Sequence, residues 1–299
     1  MRLAVFTKNR SNPAYAAARL GADRAAAQWD ASVAHYVPET PDDPAQQSAL
    51  IDQALATRPD AFVLSPVHAT RVNGAIGRIV EAGIPMVGFV NPIPVGQSVA
   101  YVGADDTRLA CEMAHYLVKH LGGNGSVLVV TGPVDSVTSV DRLRGFGKAL
   151  KGEGGIRVVG QVAGDYSRSV ARERVAEWLR RNPAPNACLV ANDIMAVGVL
   201  EALDDAGHQG VVVVGVNAIP EAISAIGQGR MLATADFNAM QMAYLATECA
   251  VRHLRGDKVP QHIELPVRIV DASNYREWDQ PYEARPLLSL EQLEGQSRP

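Results

Sequence analysis

The sequence predicts an α/β protein made of two similar doubly wound parallel sheets, and three observations support this prediction. Short apolar runs alternate with helix-length amphipathic segments along almost all of the 299 residues. The apolar runs are continuous and rich in Val, Ile and Leu, which is typical of parallel strands covered by helices on both faces. The alternation comes as two successive series, a repeat of roughly 110 residues, so we expect two domains.

The first series of elements covers the first 121 residues. Five apolar runs predict strands, over 2–7, 32–37, 61–66, 85–90 and 99–104. Amphipathic spacing predicts the helices that follow four of them, over 14–29, 45–57, 71–82 and 107–121. Strands that alternate with helices of this length indicate βαβ units and a parallel sheet.

The second series repeats this pattern and then changes character. Strands are predicted over 126–132, 157–163, 187–192, 211–217 and 232–237, and helices over 139–151, 169–181 and 195–205. The last sixty residues predict a long helix (239–256), one further strand (262–271) and a Pro- and Glu-rich extended tail with one short helical turn (275–299). No Pro/Gly/Ser-rich linker separates the two series, so we expect the chain to cross between the domains through ordered strands.

Composition and charge exclude several classes of protein. The chain is 47% hydrophobic and 20% charged, which is ordinary for a globular protein, and its net charge of −4 argues against a nucleic-acid surface. The three cysteines are scattered, so we expect neither a disulfide nor a metal site. No apolar stretch approaches the ~20 residues of a membrane span. The first strand pattern begins directly after Met1 without a secretory signal, which fits a cytoplasmic protein or a mature secreted one.

The ends of the predicted strands carry most of the polar side chains of interest. Ligands of an open parallel sheet bind outside the carboxyl ends of its strands. Such positions carry Lys8, Asn9, Asn12, Ser65, Asn91, Asp105 and Asp106 in the first series, and Thr131, Asp135, Asp165, Tyr166, Asn192, Asn217 and Asp236 in the second. Aromatic residues stand beside them, namely Tyr15, Phe89, Tyr166 and Phe237. Helix caps and turns are the structural alternative, but amides with aromatic faces in both domains favour a cleft for a polyhydroxylated ligand.

One of these strand ends carries two polar residues side by side. In "CLVANDIMAVGVLEAL" (188–203), an apolar strand passes through Asn192 and Asp193 into a helix. A single Asn or Asp is enough to accept the free amide hydrogens of a first helical turn. The second residue therefore needs another role.

Catalytic signatures are missing from the sequence. There is no Gly-rich turn between a strand and a helix of the dinucleotide-binding kind, and no Gly-x-Ser-x-Gly elbow. Cys249 and His253 share a helix face but have no third metal ligand nearby, and Asp105-Asp106 fits a cap and a hinge better than an acid–base pair. We therefore expect a protein that is not an enzyme and that binds no cofactor and no metal.

Five segments together resemble the type I periplasmic binding proteins of the ribose/galactose type. These segments are "SNPAYAAARLGADRAAAQW" (11–29), "GIPMVGFVN" (83–91), "RLRGFGKAL" (142–150), "ANDIMAVGVLEAL" (191–203) and "VVVVGVNAIPEAISAIGQGRMLAT" (211–234). The similarity covers about residues 2–271. The effector domains of the LacI-type repressors share the fold and many of these motifs, but this chain starts at the first strand, with no helix-turn-helix before it.

The resemblance implies a set of ligand-binding residues. They are Asn12, Tyr15, Phe89, Asn91, Asp105, Arg142, Tyr166, Asn192, Asn217 and Phe237. Within this set it implies that Asn192 faces the ligand while Asp193 caps the helix, and that the planar guanidinium of Arg142 forks onto hydroxyls.

The chain also departs from the family pattern at two ligand positions. The usual Asp-Arg after the fourth strand is Val90-Asn91 here, and the usual Asp after "VVVVGV" is Asn217. The site is thus less charged than a typical sugar pocket. We expect a small neutral sugar or polyol, with an anionic sugar derivative as the alternative.

The same resemblance implies domain boundaries and a function. The first lobe would comprise 1–103 and 238–265, the second 104–237 and 266–280, with an extended tail over 281–299 and crossings near 103–107, 234–239 and 264–268. The implied protein is a periplasmic monomer that closes around its ligand in an interdomain cleft and delivers it to an ABC permease. A ligand-sensing subunit or regulator on the same fold is the alternative, and an enzyme a distant third.

Overall fold

A computed structural model describes residues 1–94 and 96–296 and divides the chain into two compact units. Unit 1 comprises Met1–Ala104, Asn238–Leu265 and the segment that begins at Pro281. Unit 2 comprises Asp105–Phe237 and Pro266–Gln280. Within the described residues, no helix is long and apolar enough to cross a membrane.

Twelve strands of the described residues form two six-stranded sheets, one in each unit. The strands are β1 Arg2–Phe6, β2 Ser32–Tyr36, β3 Ala61–Leu64, β4 Met86–Phe89, β5 Ala100–Gly103, β6 Gly125–Thr131, β7 Ile156–Ala163, β8 Ala187–Val190, β9 Val212–Val216, β10 Ala233–Asp236, β11 His262–Glu264 and β12 Arg268–Asp271. The sheet of unit 1 has the order β11-β5-β4-β3-β1-β2 and that of unit 2 the order β12-β10-β9-β8-β6-β7. Every pair is parallel except β10–β12. The predicted α/β class with two doubly wound sheets is confirmed.

The helices lie mostly in the connections between successive strands. They are α1 Pro13–Gln28, α2 Pro44–Ala56, α3 Asn73–Glu81, α4 Asp106–His120, α5 Val137–Leu150, α6 Arg168–Leu179, α7 Asp193–Asp205, α8 Pro220–Gly227, α9 Ala239–Leu254 and α10 Leu290–Gln296. Several begin at side-chain caps, such as Asp43 before α2 and Asp105 before α4, which accept backbone N–H groups of the first turn. Helix α8 starts with Pro220 at its first position and was not among the predicted helices.

The predicted strand over 262–271 is wrong as a single element, because the chain forms two strands there. Strand β11 pairs in parallel with β5 in unit 1, and β12 pairs antiparallel with β10 in unit 2. The break falls at Pro266, which has no N–H to continue a ladder, directly after Leu265 donates its amide to Gly103 O at 2.8 Å.

The tail prediction is also wrong, because the last part of the chain contains more than one helical turn. Short 3-10 turns form at Tyr275–Glu277 and Tyr282–Ala284, and α10 follows. The Gln241 side chain of α9 pairs with both backbone groups of Leu288, donating at 2.6 Å and accepting at 2.8 Å. These contacts attach the tail segment to unit 1.

Close helix packing in each unit depends on a glycine. A Cβ on Gly21 in α1 would overlap the carbonyl oxygen of Met240 in α9, and a Cβ on Gly145 in α5 would overlap that of Thr107 in α4. Beneath the helices α2 and α3, the core of unit 1 contains the ring of Phe6 stacked on Tyr36 and Phe62, with centroid distances of 4.8 and 5.7 Å. A rigid core of this kind fixes the strand ends that carry the polar residues.

Candidate functional site

The loop after β1 in unit 1 is organised by asparagine side chains. Asn12 caps α1, because its Oδ1 accepts the Ala14 amide at 3.0 Å, and the Asn12 amide donates to Asn9 Oδ1 at 3.0 Å. Tyr15 lies in the first turn of α1 and is buried. Asn12 and Tyr15, both predicted ligand residues, thus lie together at the carboxyl end of β1. The side-chain oxygen of Asn12 accepts the hydrogen bond that caps α1.

Several buried side-chain polar atoms of unit 1 have no hydrogen-bond partner among the described residues. Two of them follow neighbouring strands, namely Ser65 Oγ after β3 and Asn91 Oδ1 after β4. Asn91 Nδ2 donates to Pro66 O at 2.7 Å, so the side chain is held with its oxygen unused. An unpaired buried acceptor costs about 1–3 kcal/mol, which a ligand hydroxyl at this strand edge would recover.

Phe89 and Lys8 also stand at the carboxyl ends of strands in unit 1, and both residues are buried. Phe89 is completely buried within β4, so the sequence-predicted ligand residue lies in the core in this conformation. Lys8 was among the polar strand ends but not among the predicted ligand residues. Its side chain is 2% exposed, and its Nζ lies 3.3 Å from Asp42 Oδ1. A buried ammonium requires a compensating charge, which Asp42 supplies here, and the sequence pattern gave no sign of this burial.

Arg142 organises the carboxyl edge of the sheet in unit 2. Its side chain is 3% exposed, and its Nε donates to Asp106 Oδ1 at 2.6 Å. Its Nη1 donates to Ala191 O at 2.7 Å and to Asn217 Oδ1 at 3.2 Å, and its guanidinium lies 5.4 Å from the ring centroid of Phe237. The structure therefore brings three predicted ligand residues, Arg142, Asn217 and Phe237, into one cluster.

The implied division of roles between Asn192 and Asp193 is wrong in one respect. Asn192 is the cap of α7, because its Oδ1 accepts the Met195 amide at 3.0 Å. Asp193 is fully buried and accepts from the Thr234 hydroxyl at 2.7 and 2.9 Å and from the Ile219 amide at 3.1 Å. The cap falls on Asn192 because that residue has the extended backbone that a capping position requires, whereas Asp193 is already helical.

The environment of Asp193 shifts its proton affinity. Complete burial raises the pKa of this carboxyl to about 7, although the hydrogen bonds from Thr234 and Ile219 and the charge of Arg142 lower it. The two adjacent polar residues thus have different structural roles. One residue caps α7 and the other joins β10 to the turn after β9.

The remaining predicted ligand residues lie at other places of unit 2. Tyr166 has a left-handed backbone (φ 55°), and its hydroxyl lies 3.1 Å from Thr138 Oγ1, with its ring against Gly132. Asp105 is exposed and caps α4 by accepting the Arg108 amide at 2.9 Å. Asp105 therefore serves the helix start, while its neighbour Asp106 faces Arg142.

Two carboxylates near this edge have partners that the sequence did not indicate. Asp236, at the end of β10, accepts from Trp278 Nε1 at 2.9 Å, although 42 residues separate the two. Asp165 forms an exposed ion pair with Arg174 at 2.8 Å. Trp278 belongs to the late segment of unit 2 and was missed because nothing local in its sequence points to β10.

Comparisons with known proteins agree with this architecture. The family model described as "Periplasmic binding protein domain" matches residues 3–258. A D-ribose/D-allose-binding protein of Pseudomonas aeruginosa is 28% identical over 77% of this chain and 75% of its own length. A xylitol-binding protein of Mycolicibacterium smegmatis is 24% identical over 64% of this chain, and the match spans 55% of that relative.

A solved structure supports the same relationship. The ABC transporter periplasmic solute binding protein of Actinobacillus succinogenes, with bound D-allose, aligns with a TM-score of 0.86 and 26% identity. The alignment covers 92% of this chain and 99% of that one.

Proposed function

We propose that this chain, which belongs to the periplasmic binding protein domain family, is a substrate-binding protein that captures a small neutral sugar or polyol for an ABC permease. Its relatives named above are a ribose/allose-binding protein, a xylitol-binding protein and a solute binding protein with bound allose. Membership of the family supports a periplasmic location. A monomer without catalytic activity is part of the same proposal.

The observation that carries the proposal is the pair of buried acceptors without partners, Ser65 Oγ and Asn91 Oδ1. Both follow neighbouring parallel strands, whose carboxyl ends are the usual place for a ligand. A hydroxyl of the ligand would supply the missing donor, and several hydroxyls spaced along a short carbon chain would serve both atoms. Polyhydroxylated ligands fit this requirement better than apolar ones.

The charges around Arg142 support a neutral ligand. Its positive charge is already compensated by Asp106, whose side chain is only 10% exposed. A second anion would have to compete with that carboxylate inside a buried site, which is unfavourable. Neutral hydroxyls can share the planar donors without displacing Asp106, so the anionic alternative is less well supported.

The proposed ligand set has members in each unit. Unit 1 would supply Asn12, Tyr15, Ser65 and Asn91, and unit 2 Arg142, Asn192 and Asn217, with Phe237 beneath the guanidinium. A sensing subunit on this fold would use the same groups, so a permease encoded beside the gene distinguishes transport from sensing.

A binding panel with a matched pair of serine variants tests the proposal. Isothermal titration with ribose, allose, xylitol, glycerol and myo-inositol should show binding of at least one neutral compound. Ser65→Ala should weaken that binding by about twofold to tenfold, the value of one hydrogen bond. It should leave the free energy of unfolding unchanged or higher, because the Ser65 hydroxyl has no partner among the described residues to lose.

Ser126→Ala is the control with the opposite pattern. Ser126 Oγ donates to Asn186 Oδ1 at 2.9 Å at the start of β6, so its loss should lower stability and leave binding unchanged. A wild-type protein that binds no compound of the panel would overturn the sugar or polyol assignment. A Ser65→Ala variant with full affinity and reduced stability would overturn the role given to the buried acceptors.

A further inference from the structure

A strained turn links the buried carboxylate of Asp193 to the cluster formed by Arg142, Asn217 and Phe237. The turn comprises Asn217, Ala218 and Ile219, directly after β9. Asn217 and Ala218 both have positive φ, of 126° and 53°. Such conformations cost about 1–3 kcal/mol for residues other than glycine, and persist only where surrounding contacts hold them.

Hydrogen bonds to Asp193 and Thr234 hold this turn in place. Asp193 Oδ2 accepts the Ile219 amide at 3.1 Å. The Thr234 hydroxyl donates to Asp193 at 2.7 Å and accepts the Ala218 amide at 3.3 Å. Asp193, Thr234 and Ile219 have no exposed surface, so water cannot replace these bonds.

The backbone of β9 makes room for the carboxylate. A Cβ on Gly215 would overlap Asp193 Oδ1, so only glycine at this position allows the Asp193 side chain to reach the turn. Asn217 N is also fixed, donating to Ala235 O at 2.8 Å. The contacts of Asp193 therefore determine the direction of the Asn217 side chain. The Oδ1 of Asn217 accepts a hydrogen bond from Arg142 Nη1 at 3.2 Å.

We propose that Asp193 and Thr234 are the positioning residues of the ligand site: together they hold the strained turn 217–219 and so orient Asn217 and, through it, Arg142. The proposal rests on the proposed function for the identity of the site. Neither residue needs to touch the ligand. Their effect on affinity would come from the preorganised orientation of the groups that do.

Variants at Thr234 test this in solution, with the tightest-binding compound of the five-member panel as probe. Thr234→Val replaces the hydroxyl by a methyl group of similar size and should weaken binding by about tenfold, since preorganisation worth ~1.4 kcal/mol is lost. Thr234→Ser keeps the hydroxyl and should recover most of the affinity. Adding Ala218→Gly to Thr234→Val should also recover part of it, because glycine adopts positive φ without the hydroxyl's support.

Thr247→Val is the matched control for loss of a buried threonine hydroxyl. Thr247 Oγ1 donates to Ala243 O at 2.8 Å within α9 of unit 1, so this variant should lose stability but not affinity. Equal affinity in Thr234→Val and wild type, or no rescue by Ala218→Gly, would overturn the positioning role.

A crystal structure of Thr234→Val tests the same role without any ligand, which separates it from the proposed function. The turn should leave the left-handed region at Ala218, and Asn217 Oδ1 should move beyond hydrogen-bond distance of Arg142. An unchanged turn would overturn the inference even if the protein binds a sugar. A rearranged turn in a protein that binds no panel compound would uphold the mechanical link and refute only the proposed function.

Discussion

Replacing Arg142 by alanine should damage both folding and binding, and the structure separates the two effects. The guanidinium forms a buried ion pair with Asp106 and donates to Ala191 O and Asn217 Oδ1. Its removal leaves the partly buried Asp106 carboxylate, whose side chain is 10% exposed, without its arginine. Breaking a buried pair by removing one partner costs about 3–5 kcal/mol of stability.

The effect on binding has a different origin and magnitude. If Arg142 also donates to ligand hydroxyls, each such bond is charge-assisted and contributes about 1.5–3 kcal/mol. Arg142→Ala should therefore weaken ligand binding by about tenfold to a hundredfold or more. Arg142→Lys should recover only part of it, because an ammonium cannot reproduce the planar fork.

Urea unfolding and isothermal titration measure the two effects on the same preparations. Arg78→Ala is the control, because Arg78 also donates its Nε to an aspartate, Asp52 Oδ1 at 2.7 Å, but with both side chains exposed. Exposed pairs contribute about 0–1 kcal/mol, so this variant should be close to wild type in stability and in affinity. Affinity of Arg142→Ala within a factor of two of wild type would show that the ligand site has been wrongly assigned. A stability loss no larger than that of Arg78→Ala would refute the reasoning from burial.

Three further predictions concern charge, pH and packing in unit 2. Asn217→Asp should raise the affinity for a neutral sugar by about threefold to tenfold, because a carboxylate accepts stronger hydrogen bonds than an amide; a loss of affinity in titration would indicate an anionic ligand. The pKa of Asp193 rises from its ordinary 3.8 to about 7 on folding, so its contribution to the free energy of unfolding should be greatest below about pH 4 and disappear as the pH rises through about 7. The difference in unfolding free energy between wild type and Asp193→Asn, measured from pH 4 to 8, should fall with pH, and a flat or rising difference would contradict this. In urea unfolding, Gly145→Ala should destabilise unit 2 by about 1–3 kcal/mol, because the added methyl group would overlap α4. Gly147→Ala has no atom near its Cβ and should stabilise unit 2 by about 0.5–1 kcal/mol. Equal effects of the two variants would refute the packing argument.

Local patterns in the sequence were sufficient for most of the fold. Ten of the apolar runs became strands near their predicted bounds, because continuous Val- and Ile-rich segments between amphipathic helices have few other stable arrangements. The polar strand ends were visible for the same reason, since each follows its strand directly in the chain. The separate pairing of β11 and β12 was not visible, because the partners of these strands are distant in sequence: β11 pairs with β5 and β12 with β10.

The order of residues along the chain places these polar side chains at the carboxyl edge of each sheet, whereas their partners depend on how the strands and helices pack. Asn192 and Asp193 are neighbours with similar side chains, yet one caps α7 and the other supports a turn 26 residues away. Likewise Asp106, and not Asp105, meets Arg142, 36 residues along the chain. Adjacent residues at a helix start point in different directions, so their partners depend on which strands and helices pack beside them, and periodicity carries no information about that.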